Sequence, residues 1–315
     1  MKHLVIILSI FAMAIGADTK IGGTTYFDYT SGKDDADEST SAFNFKRQYI
    51  SFSGQASDDI KYKFVVDVGA TNKLSGEDTR LTAFLKKAQI DYKTSFANIS
   101  MGVIGTNTYG VQEKNWGYRF IEKSSMDLYG FSSTADIGIG FSKSFTDDLN
   151  MSLQMVNGEG YKSPQSDKYH KISLNATYGE AKLHKNDGYN VGLVYSTEGS
   201  DDDPTNVTSL FGGYAANGLR LGVENATKTK GDLTESITSI SANYGIKDNM
   251  DVFVRYDMYD PNADMDEDGR SYMITGVVFN CGNGLSMAPN MGITSYEDAD
   301  ADSETEYKLN IQYKF

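Results

Sequence analysis

The sequence predicts an all-β fold: a transmembrane, antiparallel, up-and-down β-barrel of sixteen strands. Three observations carry this expectation. Segments in which apolar and polar residues strictly alternate recur along nearly the whole chain. Short, turn-rich connections between them alternate with longer polar ones. The last segment closes the chain on an aromatic residue that continues its own apolar face. A period of two marks a strand with one apolar and one polar face. In a barrel that crosses a bilayer the apolar face meets lipid and the polar face lines the interior, so a mean hydropathy of −0.42 is compatible with it.

Taken in order, the chain opens on MKHLVIILSIFAMAIGADTK, with a basic Lys2, an uncharged apolar run from Leu4 to Ile15, and small residues at Ala14, Gly16 and Ala17. This order reads as a secretory signal peptide over residues 1–17. About 12 apolar residues are too few to cross a bilayer as a helix. The remaining 18–315 reads as one barrel domain. Strands are expected near 19–30, 43–55, 60–71, 84–93, 97–105, 134–144, 149–157 and 169–178, then near 189–198, 207–215, 218–227, 235–245, 250–259, 271–281, 285–296 and 305–315. In DIKYKFVVDVG, for example, Ile60, Tyr62, Phe64, Val66 and Val68 alternate with Lys61, Lys63 and Asp67. Tight hairpins are expected at 57–59, 146–148, 217–218 and 282–284. Apolar residues switch parity within 43–52, 207–215 and 271–280, and Pro289 falls inside an expected strand, where a bulge would accommodate it.

Composition excludes several functions. Without Lys2 the chain has 28 basic against 43 acidic residues, a formal charge of −15. Nucleic acid is therefore not an expected partner, since phosphate contacts need clustered Lys and Arg. The single Cys281 forms no intramolecular disulfide. Beyond the leader the only histidines are His170 and His184, with no nucleophile motif and no metal-ligand spacing beside them, so neither an enzyme, a metal site nor a cofactor is expected. Acidic runs at 33–38, 198–203, 264–269 and 297–306 fall in expected external loops and lack the full calcium-loop pattern. They are solvated loops, or contacts to outer-membrane lipid and lipopolysaccharide through divalent ions.

The final segment, with Tyr307, Leu309, Ile311, Tyr313 and Phe315 on one face, resembles the C-terminal strand of bacterial outer-membrane barrels. The resemblance implies recognition by the barrel-assembly machinery. Strand number, chain length and terminal Phe together resemble the sixteen-stranded porins, the trimeric general-diffusion channels of the Gram-negative outer membrane. Their third external loop is long and folds inward, and the third external connection here, 106–133, is the longest in the chain. The Pro-Glu-Phe-Gly-Gly motif of enteric porins is absent, while DLYGFSSTADIGIGF is similar to the phosphate-selective porins.

The implied function is passive diffusion of small hydrophilic solutes and ions through a homotrimer, with selectivity set by charges at the constriction. Parity offers Lys46, Lys61, Lys63, Asp67 and Lys87 on the wall, with Lys46 beside Asn44 and Gln48, and Arg47 joining if the register shifts. The loop offers Glu113, Trp116, Arg119, Glu122 and Asp127. The near balance of charge predicts weak selectivity, leaning to cations at low salt. Two other readings stay open. One is a structural or adhesive surface barrel. The other is a substrate-specific channel for sugar or anion, with Tyr109, Trp116, Tyr118 and Phe120 as a stacking slide.

Overall fold

The computed structural model describes residues 19–33, 39–70, 81–199 and 203–315. The expected signal peptide, residues 34–38 of the first acidic run and residues 200–202 of the second lie outside them. All sixteen expected strands are present, with ends displaced by a few residues. They are β1 (Lys20–Lys33), β2 (Ser39–Gln55), β3 (Ile60–Ala70), β4 (Leu81–Lys93), β5 (Asn98–Gly105), β6 (Ala135–Ser144), β7 (Leu149–Val156) and β8 (Lys171–Gly179). Then follow β9 (Gly188–Gly199), β10 (Pro204–Ala216), β11 (Leu219–Lys230), β12 (Leu233–Lys247), β13 (Met250–Asp260), β14 (Arg270–Gly282), β15 (Leu285–Tyr296) and β16 (Glu304–Lys314). Each strand pairs antiparallel with its sequence neighbours, and β1 also pairs with β16, so the sheet closes and has no edge.

Hairpin chemistry fixes the tight end. Asn217–Gly218 and Asn283–Gly284 both hold positive φ at two successive residues, the type I′ geometry that matches strand twist. The opposite end carries the longest connections, 106–134 and 157–170, but one of its turns is tight. β11 and β12 are joined by Gly231 and Asp232 alone, because both strands run further than the alternation had indicated.

The outward face is apolar and exposed: Leu210 at 60 %, Val191 at 55 % and Ile240 at 52 % stand for a girdle that runs round the barrel. Such a surface is stable against lipid and costly against water. Buried apolar side chains instead lie inside the ring. One cluster joins Trp116, Phe120 and Ile121 to Phe253, Tyr272, Ile274 and Val278. A second joins Tyr109, Met126 and Phe131 to Val207, Ala226 and Ile237.

These clusters explain two of the three parity conflicts. β10 and β14 carry apolar residues on both faces because Val207, Tyr272, Ile274 and Val278 point inward against the 106–134 segment. No residue is inserted within 207–215, and none within 271–280. The 43–52 conflict has a different cause, a bulge. Pro289 needs none: it keeps register with Leu309, and the pairing to β14 lapses at Ala288 and Pro289 without a shift of register, a gap in the ladder where proline has no N–H to give.

Candidate pore constriction

Two β-bulges shape the wall of β1–β4. In β2 the pairing with β1 passes from Arg47↔Tyr26 to Phe45↔Phe27, leaving Lys46 as the extra residue. In β4 the pairing with β3 passes from Lys87↔Val65 to Leu85↔Val66, leaving Lys86 extra. A bulge sets two consecutive side chains to one side of a strand. Lys46 and Arg47 therefore both reach the interior, as do Lys86 and Lys87. Lys46 pairs with Asp28 at 3.1 Å, Arg47 with Asp67, and Lys86 donates to Thr134 Oγ1. Past the bulge the parity reverses, so Gln48, expected inside, lies on the outward face and bonds Thr25. Lys86 was absent from the sequence-based set. The doublets Lys46–Arg47 and Lys86–Lys87, each set between apolar residues of opposite parity, were the available signal.

The segment between β5 and β6 carries two short helices, α1 (Gln112–Trp116) and α2 (Ser125–Leu128). Its polar backbone groups are met by inward side chains of distant strands. Asn107 bonds Ser152, Ser173 and Asn175 on β7 and β8. Asn115 and Asn190 of β9 exchange two amide bonds of 2.9 Å. Glu224 of β11 accepts from Gln112 and Ser125 of the segment, at 3.0 and 2.7 Å, and from Ser209 of β10. The Trp116 carbonyl takes Arg220 and Asn243, at 3.1 and 3.2 Å. Arg255 of β13, the strand diametrically opposite β5 in the ring, donates to the Lys123 carbonyl, forks onto Asp257 and stacks over Trp116. Asn310 of β16 reaches the Phe120 carbonyl.

The loop charges turn toward the opposite arc. Arg119 bridges Glu113 and Asp127 at 3.3 and 3.1 Å. Burial pushes the Glu113 carboxyl above the usual range against the pull of Arg119. Between this group and the wall lies a 240 Å³ cavity lined by Tyr26, Asp28, Lys46, Arg47, Arg119, Glu122 and Lys123 among others. Of the sequence-derived residues, Lys46, Arg47, Glu122 and Arg119 line that cavity, and Asp67, Glu113 and Asp127 are bonded to residues that do. Lys87 is lumenal and sits near Lys63 and Glu113.

Three expected residues are placed otherwise. Trp116 is 3 % exposed, edge-on to Phe253, with Nε1 donating to the Glu122 carbonyl. It belongs to the packing that fixes the segment, and so do Tyr109 and Phe120 of the expected stacking slide. Lys61 and Lys63 face the lumen but stand beside the 56–59 turn, where they line a cavity with Lys20 and Asp91. At about 3.3 Å per residue Lys61 is roughly 20 Å along the strand from Asp67.

No protein-family model and no curated protein match this sequence. Solved structures do. Pseudomonas putida OprB matches with a TM-score of 0.70 at 12 % identity, covering 95 % of this chain and 94 % of that one. Salmonella typhi OmpF matches with a TM-score of 0.69 at 14 % identity, covering 94 % and 97 %. This is the porin fold. An anion-selective porin from Comamonas acidovorans shares it too, with a TM-score of 0.67 at 13 % identity over 94 % and 99 % of the two chains. The porin fold is that of Gram-negative outer-membrane barrels, and the apolar girdle here is the surface such a location requires.

Proposed function

We propose that this chain forms a water-filled channel through which small hydrophilic solutes and ions diffuse passively, narrowed between the 106–134 segment and the wall of β1–β4. One observation carries the reading. Side chains of β8, β9, β11–β13 and β16 hold the segment, while the charged side chains of β1–β4 are left facing Arg119 and the cavity. A structural barrel has no need of such a charged aperture. The buried Trp116, Tyr109 and Phe120 weigh against a sugar-stacking slide.

The rest of the proposal follows from that role. Residues 1–17 direct secretion, the barrel-assembly machinery recognises the terminal strand, the channel works as a homotrimer among lipid and lipopolysaccharide, and it catalyses no reaction. The test is conductance in planar bilayers. Stepwise ohmic openings are expected, and replacing 107–133 with a short Gly–Ser linker should enlarge them. Insertion of folded barrels without conductance would refute the channel.

A further inference from the structure

We propose that the segment after β7 completes an anion-binding site at the aperture, formed by Lys162 with Lys86, Lys123 and Arg47, that selects compact oxyanions from the passing solutes. The proposal rests on the channel reading and names the solute class.

The 157–170 connection is held against the barrel by its own bonds. Asp136 Oδ2 accepts the Gly158 and Gly160 N–H groups at 2.7 and 3.2 Å, and Tyr161 N donates to the Ala135 carbonyl at 3.0 Å. Tyr161 is thereby set beside the inward ring of Phe84, with centroids 6.0 Å apart. Its face carries the Lys86 ammonium at 4.0 Å, and Lys162 lies 5.2 Å from the Phe84 centroid. An external loop thus delivers a lysine to the lumenal wall near Arg47, Lys123, Asp67 and Asp127.

The charges of this neighbourhood divide into two sets. Lys46, Arg47 and Arg119 are neutralised by Asp28, Asp67, Glu113 and Asp127. Lys86, Lys123 and Lys162 form no ion pair among the described residues, and Glu122 on the cavity wall is the one carboxylate set against these three. Lys123 lines the 240 Å³ cavity, and Lys86, which gives one bond to Thr134 Oγ1, and Lys162 flank it at Tyr161 and Phe84, so the three lysines keep donors free for an oxyanion. The net charge of −15 does not oppose this: at about 0.15 M salt, external carboxylates more than about 8 Å away are screened. The expected lean to cations at low salt came from the external acidic loops, and the near balance beneath it took in Lys61 and Lys63, on the turn side of Asp67, without Lys86 and Lys162.

Reversal potentials in a KCl gradient test the site, with inorganic phosphate then added to the external side. Chloride should permeate faster than potassium, and phosphate should reduce the chloride current. Lys162→Glu should lower the chloride-to-potassium ratio about fivefold, the scale of one reversed charge near a partly hydrated ion. Lys162→Arg should keep the ratio. Lys168→Glu, on the same connection with its ammonium over Tyr169, should leave it unchanged. Folding of each variant is checked by its faster migration before boiling, and Lys162→Gln gives a milder second reading. Conductance with a ratio that Lys162→Glu does not move, or that Lys168→Glu moves equally, overturns the site and leaves the channel standing. Folded protein that never conducts removes the channel as well.

Discussion

Two arcs of the same barrel use inward polar residues in opposite ways. Along β8–β13 they are sockets. Asn190, Glu224, Asn243 and Arg255 are buried and bonded to the 106–134 segment. Along β1–β4 they are lining. Lys46 keeps 52 % of its side chain exposed, and Arg47 still faces a cavity. Alternation dictates a polar inner face on both arcs. What separates them is whether a second segment of chain arrives to satisfy those groups. Because the loop leans on one arc, the proposed aperture falls on the other.

Breaking the socket arc should have the largest effect. Arg255→Ala leaves Asp257 buried without its partner and the Lys123 carbonyl without its donor. Loss of one member of a buried pair costs about 3–5 kcal/mol. The temperature at which the unheated gel band converts to the boiled form should fall, and single-channel traces should become noisier. Unchanged traces would mean the loop is held elsewhere.

The seam between β1 and β16, where the barrel closes, comes next. Phe315 exchanges backbone bonds of 3.0 and 3.1 Å with Gly23, and its ring occupies the space a β-carbon on Gly23 would need. The terminal aromatic therefore has a packing role besides its resemblance to an assembly signal. Phe315→Asp should reduce the amount of folded barrel in the outer membrane several-fold, and Gly23→Val should do so with Phe315 intact. If Gly23→Val assembles normally, the ring contributes nothing at the seam.

A smaller effect tests the socket chemistry alone. Glu224→Gln keeps the size of the side chain but removes the carboxylate that receives three donors. A hydrogen bond to a charged group contributes about 1.5–3 kcal/mol, so the gel transition should drop by less than in Arg255→Ala.

The smallest expected effect is on the lining arc. Glu113 faces Arg119, Asp127, Lys86 and Lys114, and burial raises its proton affinity. A raised carboxyl takes its proton at a higher pH than an ordinary glutamate, so acidification removes negative charge at the aperture first there. The chloride-to-potassium ratio should rise as pH falls from 7 to 5, by less than about twofold, and Glu113→Gln should flatten that rise.

The strands were legible because each obeys one local rule, visible in windows such as Ile60–Val68 and Tyr307–Phe315. Asn217–Gly218 and Asn283–Gly284 announced their turns for an equally local reason. The loop-bearing strands were ambiguous because Val207, Ile274 and Val278 obey a tertiary demand, the cover of Trp116, Met126 and Phe131. Trp116 was assigned to the lumen because sequence shows that a loop is long and aromatic, not which way its rings turn. Lys86 was missed because plain alternation gives each adjacent pair of residues one inward and one outward member. Lys162 was missed because its position depends on Asp136 gripping a turn that no periodicity marks.

The bulges separate two properties that a strand ordinarily ties together. In β4, deleting Lys86 would restore simple alternation, with Leu85 and Ala88 still outward and Lys87 still inward. The same holds for Lys46 between Phe45 and Arg47 in β2. One codon gained or lost there changes the ionic character of the passage while every lipid-facing residue keeps its place. Permeability at these two positions can evolve, or be engineered, by insertion and deletion rather than by substitution, without renegotiating how the barrel sits in its membrane.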